Sequence, residues 1–351
     1  MRPVGRFCDV GRLGLVLPPF LPPEKASELG TTSSRTQRIP TSGTTRLAEL
    51  CRRAEATGAG ALWSVDHLFW HRPMLECLTV VSVAATATTR AAIGSCVLQL
   101  PLRSPAVVAK QAATLQVLSG GRLVLGVGVG EHAGEYEAAG SSFLDRGRRL
   151  DAGIETLRRA WASGGDTGRR YRQEPEPAPI PVWVGGSSPA AVRRAARRGD
   201  GWVPLFLGPA AFADRLATLR GEAEAAGRDP AEVAAAAVVF LHVGPAREAQ
   251  ARGTAWLSSL YGIPPRAFAR HLVAGPPAAC ADRVGAYLAA GADHVAVMVA
   301  DDDPIEHFAA LAGEVERCRA GAPVAAPVTA SPAAPERLAA PACPEPVEVL
   351  L

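Results

Sequence analysis

An aspartate and a histidine stand side by side at Asp66 and His67, directly after the apolar run 61–65. An imidazole titrates near neutral pH, so it can accept or release a proton in a reaction. An adjacent carboxylate can fix its tautomer, although neighbouring residues need not face each other. The pair predicts acid–base chemistry, and a structural histidine that caps a helix remains the alternative.

Glycines recur at every second position in Gly126, Gly128 and Gly130, which end the apolar run beginning at Leu123. In a strand this spacing removes the side chains from one face. The pattern predicts that something flat or bulky approaches the backbone at this strand end.

A third constellation, Gly185-Gly186-Ser187-Ser188-Pro189, leads directly into an alanine- and arginine-rich helix. Glycines let the backbone approach a ligand, the serines offer hydroxyl and N–H groups, and the helix presents its positive end. The loop therefore predicts an anion site, with a plain N-capped helix start as the alternative.

A metal site is a competing interpretation of the histidines. His67 and His71 are four residues apart and can share a helix face, and Glu131-His132 can add ligands. No strand carries a His-x-His pair, however, so the sequence gives this interpretation little support.

The elements that must position these groups alternate regularly between strand and helix. The unit 93–131 reads as strand, crossover helix and parallel strand, with the helix beginning at Ser104-Pro105 and ending at Gly120-Gly121. Along the whole chain eight units of a strand followed by a helix can be traced, which favours a (β/α)8 TIM barrel. A doubly wound sheet is the alternative, but its G-x-G-x-x-G phosphate fingerprint is missing.

Several segments depart from this repeat. The long loop 18–43 and the polar stretch 132–142 are predicted as loops, and 248–273 is predicted as a largely helical insertion. From 321 to 351 the composition collapses to Ala, Pro, Val and Glu, which predicts a disordered tail. We therefore expect one barrel domain over residues 1–320 and a tail over 321–351.

The chain resembles the luciferase-like monooxygenase family, in the branch that uses the deazaflavin coenzyme F420. The resemblance covers about residues 11–315 and rests on these phrases: Trp63-Ser-Val-Asp-His67, Leu100-Pro-Leu-Arg-Ser-Pro105, Ala109-Lys-Gln-Ala-Ala-Thr-Leu115, Ser119-Gly-Gly-Arg-Leu-Val-Leu-Gly-Val-Gly-Val-Gly130, Pro181-Val-Trp-Val-Gly-Gly-Ser-Ser188 and Gly199-Asp-Gly-Trp202.

The resemblance implies a barrel of the bacterial luciferase-like type, with the cofactor ring across its mouth and hydride transfer to or from a small organic substrate. It implies catalytic roles for His67 beside the ring and Glu131, the latter as proton donor or as a hydrogen-bonding partner of the cofactor. The implied cofactor-binding residues are Asp66, Cys96, Val97, Gly128, Gly130, Gly185, Gly186, Ser187 and Ser188. Cys96-Val97 matches a point where family members often carry a non-proline cis peptide.

Two alternatives stay open beside an F420-dependent oxidoreductase. One keeps the fold and replaces F420 with FMN, which would make a flavin-dependent monooxygenase. The other is a barrel without a cofactor that serves as a binding or scaffold protein. No clear set of basic residues would hold a sugar phosphate, so that substrate class is disfavoured.

Net charge, apolar runs and cysteine spacing restrict the classes of partner that the sequence suggests. A formal net charge of +3 gives no case for nucleic acid, and the longest apolar run, 233–243, is too short to span a membrane. The seven cysteines form no CxxC pair, as expected for free thiols in a reducing cytoplasm. We expect a cytoplasmic enzyme with a small-molecule substrate, and a homodimer is compatible with the sequence.

Overall fold

The computed structural model describes residues 12–20, 43–162 and 174–321, without the side chains of 319–321. Most of the loop 18–43 and the tail beyond residue 321 lie outside these ranges, so the expectations for both segments stay predictions.

Eight parallel strands close into a barrel, which confirms the predicted (β/α)8 fold. The order around the barrel is β1-β2-β3-β4-β5-β6-β7-β9, and β9 pairs with β1 to complete the ring. The strand bounds are β1 Leu13–Val16, β2 Ala61–Ser64, β3 Ala92–Gln99, β4 Leu123–Gly128, β5 Val182–Gly185, β6 Gly201–Val203, β7 Ala234–Val243, β8 Leu272–Gly275 and β9 His294–Val299.

Helices alternate with these strands and cover the outside of the barrel. Their bounds are α1 Gly43–Ala56, α2 Cys77–Ala87, α3 Pro105–Leu118, α4 Ala133–Ala138, α5 Arg146–Trp161, α6 Pro189–Arg198, α7 Pro209–Ala225, α8 Ala246–Tyr261, α9 Pro277–Ala289 and α10 Pro304–Gly321. Within the described ranges, no helix combines the length and the apolarity that a membrane crossing needs.

One local prediction was wrong: the stretch 132–142, predicted as a loop, contains the short helix α4. The predicted start of α3 is confirmed, with Ser104 as the N-cap residue and Pro105 as the first helical residue, although the Ser104 side chain makes no capping hydrogen bond. The end of α3 agrees with the prediction, since Gly120 and Gly121 both adopt the positive φ that lets the chain turn away.

The barrel interior is filled by large rings, and small residues make room for them. Trp63 and Trp183 lie with their ring centroids 5.4 Å apart, and the Trp63 indole donates to His294 Nε2 at 3.0 Å. A Cβ on Gly94 would come within 2.7 Å of Trp63, and one on Gly201 within 2.5 Å of Trp183. This packing closes the lower part of the barrel, so chemistry is confined to the mouth.

The ninth strand, β8, was not predicted. The segment 248–273 was expected to be largely helical, but its end forms a strand that pairs with Phe240–Val243 of β7. Because β9 pairs with one edge of β7 along 236–241, β8 must use the other edge, the one that pairs with β6 at Ala234 and Ala235. The insertion is thus anchored to the barrel by backbone pairing.

Candidate active site

Four neighbouring strand ends carry the predicted site residues. Strands β2, β3, β4 and β5 are consecutive in the barrel. Asp66 and His67 follow β2, Cys96 and Val97 lie in β3, and the two glycine loops end β4 and β5. Their convergence at the carboxyl end of the barrel agrees with the sequence analysis.

Strand β3 carries one extra residue at this level. Ser95 pairs with Leu125 and Leu98 with Val127, so three steps along β3 match two along β4. This is a β-bulge, a feature often found next to active sites. The Cys96–Val97 peptide bond within it is cis, as the family resemblance implied.

The bulge gives a different reason for the glycines at the ends of β4 and β5 from the one expected, which was the approach of a flat or bulky group. Cβ atoms on Gly128 and Gly185 would come within 2.6 and 2.8 Å of Val97 Cγ2, and a Cβ on Gly130 would overlap the Gln99 side chain. The backbone is therefore bare because two side chains of β3 already occupy that space. Gly128 and Gly185 accommodate Val97, which we place at the floor of the mouth, and Gly130 accommodates Gln99.

His67 is held by a carboxylate that the sequence analysis did not name. Glu135 Oε2 lies 3.0 Å from His67 Nδ1, and Glu135 Oε1 accepts hydrogen bonds from the backbone N–H groups of Leu68 and Phe69. The Glu135 side chain is 2% exposed and that of His67 is 19% exposed. The carboxylate is thus buried, while the imidazole keeps access to the mouth.

Helix α4 sets the position of Glu135. The hydroxyl of Tyr136 donates to the carbonyl of Val129 at the end of β4, which ties the short helix to the barrel. Burial would raise the pKa of Glu135, but hydrogen bonds from His67, Gln99 and Phe69, with the charge of His67, lower it to about 2. Glu135 is therefore an ionised acceptor at neutral pH.

Asp66 is occupied by a second buried network. Arg103 donates to both of its carboxylate oxygens, at 2.7 and 2.8 Å, and the backbone N–H of Gln99 donates at 2.8 Å. Burial would lower the pKa of Arg103, but the charge and hydrogen bonds of Asp66 raise it. The bidentate pair joins the end of β2 to the loop after β3 and holds the segment that carries His67.

Gln99 connects the two networks, and the Glu135 carboxylate indicates which nitrogen of His67 is protonated. Its Nε2 donates to the Asp66 carbonyl at 3.0 Å and to Glu135 Oε2 at 3.2 Å, and it lies 3.3 Å from His67 Nδ1. An amide flip would set Oε1 against two acceptors, so the orientation shown is favoured. Because an ionised carboxylate only accepts, Nδ1 of His67 carries a proton, and in the neutral form of the ring Nε2 presents a lone pair.

Aromatic rings surround His67. Trp70 stacks on it with the centroids 3.8 Å apart, and His132 meets both rings edge-on at 5.6 and 4.8 Å. Trp70 Nε1 and Gln99 Oε1 are buried and find no hydrogen-bond partner among the described residues. Buried polar atoms without partners are costly, so this region is suited to a ligand that supplies them.

Glu131, the acid named from the sequence, lies at the rim of the mouth. It is exposed and follows Gly130, whose φ is +68°. Its charge acts on Tyr261, because after burial it is the next cause that raises the pKa of that phenol. The assignment of Glu131 as a proton donor stays a prediction. Glu135, four residues on, was missed because the short helix α4 that carries it was taken for a loop.

The loop 185–189 was predicted either to bind an anion or simply to cap the helix that follows. Ser188 caps α6 by accepting from the Ala191 N–H at 3.2 Å, so its hydroxyl already serves the helix. Gly186 is exposed with φ +112°, and Ser187 is half-buried. No hydrogen bond joins the Ser187 hydroxyl to another described residue. The capped helix start is confirmed, and the binding of an anion there stays a prediction.

A separate polar cluster lies beside α8 and α10, around a cavity of about 310 Å³. His242, Asp301 and His307 each offer a ligand atom within 4.8 Å of the others. His307 Nδ1 accepts from the Val243 N–H at 3.0 Å, so its Nε2 carries the proton and faces Asp301 at 3.6 Å. The contact with His307 is the largest cause that lowers the pKa of Asp301, to about 2. These bonds describe a network that joins β7, β9 and α10 and leaves His307 in the wrong tautomer for a metal ligand.

The sequence pattern of the luciferase-like monooxygenase family matches residues 20–321 of this chain. The chain therefore belongs to that family, in agreement with the closed parallel barrel.

Known proteins with similar sequences or folds fall into several classes. A phthiodiolone/phenolphthiodiolone dimycocerosates ketoreductase of Mycobacterium bovis is 32% identical over 209 residues, which cover 54% of this chain and 53% of that protein. The chain spans about half the length of the curated relatives it matches.

Solved structures share the fold at low sequence identity. An F420-dependent secondary alcohol dehydrogenase in complex with an F420–acetone adduct superposes with a TM-score of 0.66 and 21% identity, covering 78% of this chain and 95% of that one. The FMN-bound oxygenating constituent of 3,6-diketocamphane monooxygenase of Pseudomonas putida gives 0.64 and 16%, covering 87% and 98%. These matches support the fold, and they occur with both types of cofactor.

Proposed function

We propose that this protein is a coenzyme F420-dependent oxidoreductase that transfers a hydride between the deazaflavin and a small organic substrate, with His67 handling the accompanying proton. The observation that carries the proposal is the pair formed by the buried Glu135 of α4 and the accessible His67 after β2, beside the β3 bulge that contains Val97. Family membership supports the reaction class, and the F420-dependent dehydrogenase among the structural neighbours supports the cofactor.

The residues present fit a flat ring at the mouth. Val97 offers a smooth apolar surface below, and the buried Trp70 Nε1 and Gln99 Oε1 are polar atoms that no described residue satisfies. Val97, Cys96 and the glycine-lined ends of β4 and β5 would hold the ring. Gly186, Ser187 and the N-terminus of α6 would hold the cofactor phosphate.

When bound, the deazaflavin supplies the hydride chemistry at its reactive carbon. Oxidation of an alcohol to a ketone then releases one proton from the hydroxyl group, and the reverse reaction consumes one. His67 Nε2 is free to take that proton because Nδ1–H is held by Glu135. The ionised Glu135 stabilises the imidazolium that forms, and Asp66 with Arg103 keeps the segment in place.

An FMN-dependent monooxygenase is the second candidate, favoured by the FMN-bound structural neighbour. Titration of the purified protein with F420 and with FMN, followed by fluorescence, separates the two. We expect micromolar or tighter binding of F420 and at least about tenfold weaker binding of FMN, a difference of about 1.4 kcal/mol. Tighter FMN binding with retained yellow colour would replace the proposal, and absence of binding to both would favour the scaffold alternative.

A further inference from the structure

Three consecutive residues beyond His67 rest on the C-terminal part of α8, the helix of the insertion between β7 and β9. The groups in contact are the rings of Trp70 and Tyr261 with their centroids 5.8 Å apart, the His71 ring and Gly262, where a Cβ would come within 3.1 Å of the ring, and Arg72 Nη1 and Ser259 Oγ at 3.4 Å. The insertion therefore supports the segment that carries His67.

Trp70 is the residue of this segment that touches His67. The two rings are stacked, with their centroids 3.8 Å apart and their planes inclined by 27°. The indole nitrogen of Trp70 is buried and has no hydrogen-bond partner among the described residues. Because no hydrogen bond fixes the indole, its position depends on ring contacts and on the backbone that carries it.

Asp302, in the loop between β9 and α10, joins α8 to this backbone. One of its oxygens, Oδ1, accepts from Trp256 Nε1 of α8 at 2.8 Å and lies 3.7 Å from Arg72 Nη2. The Arg72 guanidinium also lies over the Phe20 ring, 3.7 Å from its centroid. We call Arg72, Trp256 and Asp302 the joint.

The ion pair within the joint is weak when taken alone. The side chains of Arg72 and Asp302 are 27% and 43% exposed, and pairs at such exposure stabilise a fold little. The influence of Asp302 comes from its position, since the same oxygen serves the helix and the segment. Its effect is therefore expected in the placement of nearby rings more than in global stability.

The start of the segment is held separately. Glu135 accepts from the backbone N–H groups of Leu68 and Phe69. Over residues 70–72, the side-chain hydrogen bonds and ion pairs to described residues are those of Arg72 with Ser259 and Asp302. The joint thus controls the part of the segment that Glu135 does not reach.

We propose that Arg72 and Asp302 are positioning residues for His67: by joining the segment to α8 they keep the Trp70 ring stacked on the imidazole. The inference rests on the proposed function for the use of that imidazole in proton transfer. The placement of Trp70 by the joint does not depend on the cofactor, and it is testable in the full chain without F420.

Nuclear magnetic resonance measures the stack directly, because the ring current of an indole displaces the signals of a ring packed on its face. The Hε1–Cε1 signal of His67 is assigned by its absence in His67→Ala. Its position in Trp70→Leu marks the ring without the indole. Spectra are recorded at about pH 9, above the range in which imidazoles titrate, so that changes of protonation do not contribute.

Variants of the joint should displace this signal. Arg72→Gln and Asp302→Ala should each move it towards its position in Trp70→Leu, by at least about a quarter of the difference, because the stacked population falls. Asp302→Asn keeps an oxygen that can accept from Trp256 but loses the charge that faces Arg72. Its displacement should therefore lie between wild type and Asp302→Ala.

A matched control lies on the same helix. Arg252 of α8 is 3.8 Å from Asp301, the neighbour of Asp302, so Arg252→Gln removes a similar ion pair outside the joint. It should leave the His67 signal in place. Circular dichroism confirms folding of each variant.

The double variant Arg72→Gln, Asp302→Ala tests whether the two residues act together. It should move the signal no further than the larger single effect, because both substitutions break the same joint. Additive displacements, an unmoved signal in both single variants, or an equal displacement in Arg252→Gln would each overturn the inference. Failure to bind F420 in the fluorescence titration would overturn the proposed cofactor instead, and the signal of the full chain alone would still decide the role of the joint.

Discussion

Val97 Cγ2 occupies the space that a Cβ on Gly128 or Gly185 would need, at 2.6 and 2.8 Å from those positions. One side chain of β3 thereby fixes the residue type at the ends of β4 and β5. The bulge that carries Val97 and the glycines that receive it form a single feature, spread over three strands.

This contact predicts a coupled response to substitution. Gly128→Ala should destabilise the fold by about 1–3 kcal/mol, because the added methyl group forces Val97 out of its position. The double variant Gly128→Ala, Val97→Ala should recover at least half of the stability that Gly128→Ala loses. Chemical denaturation of the single and double variants measures the coupling energy, and strictly additive effects would show that the two positions are independent.

Substitution of His67 tests the proton-transfer role. His67→Ala should lower turnover by about 10²–10⁴-fold, the usual contribution of a positioned acid–base group, and change cofactor affinity by less than about tenfold. Asp66→Ala should have a milder effect on turnover, since Asp66 only orients the segment. His132→Ala, at the same mouth but without the bond to Glu135, serves as the control. Full turnover in His67→Ala would move the proton donor to Glu131 or to a loop.

The buried Glu135 should make stability depend on acid pH. Its pKa is about 2 in the folded chain, against roughly 4.3 for an unfolded glutamate, so its contribution is present above pH 4.3 and lost as pH falls towards 2. Between those values Glu135→Gln should show a shallower fall in stability, by up to about 1.4 kcal/mol per pH unit. Glu137→Gln, exposed on the same helix, should keep the wild-type slope in urea denaturation, and equal slopes for all three proteins would contradict the assignment.

A negative charge introduced into the loop 185–188 tests whether this loop binds the cofactor phosphate. Gly186→Asp should weaken F420 binding by at least about tenfold, roughly 1.4 kcal/mol, because it places a carboxylate and a Cβ in the site. Gly58→Asp is the matched control, since Gly58 also has a positive φ and has open space around it. If both variants bind F420 with the same affinity, the phosphate of the cofactor binds elsewhere.

Removal of the tail should have little effect. A chain that ends at residue 321 should keep its thermal stability within about 0.5 kcal/mol and its F420 affinity within about twofold, because residues 322–351 lack the apolar periodicity that docking requires. A large loss in either measurement would show that the tail contributes to the fold or to the site.

Most of the barrel was predictable because most strands are short apolar runs with a glycine or proline near at least one end. Two elements were not. Helix α4 has six residues, too few for a helical period to show, and β8 is a four-residue segment that exists because β7 offers it an edge. The same limit applies to the site: His67 stood out by its neighbour Asp66, but its partner Glu135 is 68 residues away and only the fold brings them together.

The anchoring of β8 has a consequence for engineering. The backbone ladder between β7 and β8 fixes both ends of residues 246–271, at Val243 of β7 and Leu272 of β8. A segment grafted from another family member would therefore keep its attachment points, but it must supply apolar side chains at positions 257, 260 and 268, which are buried in the barrel interior.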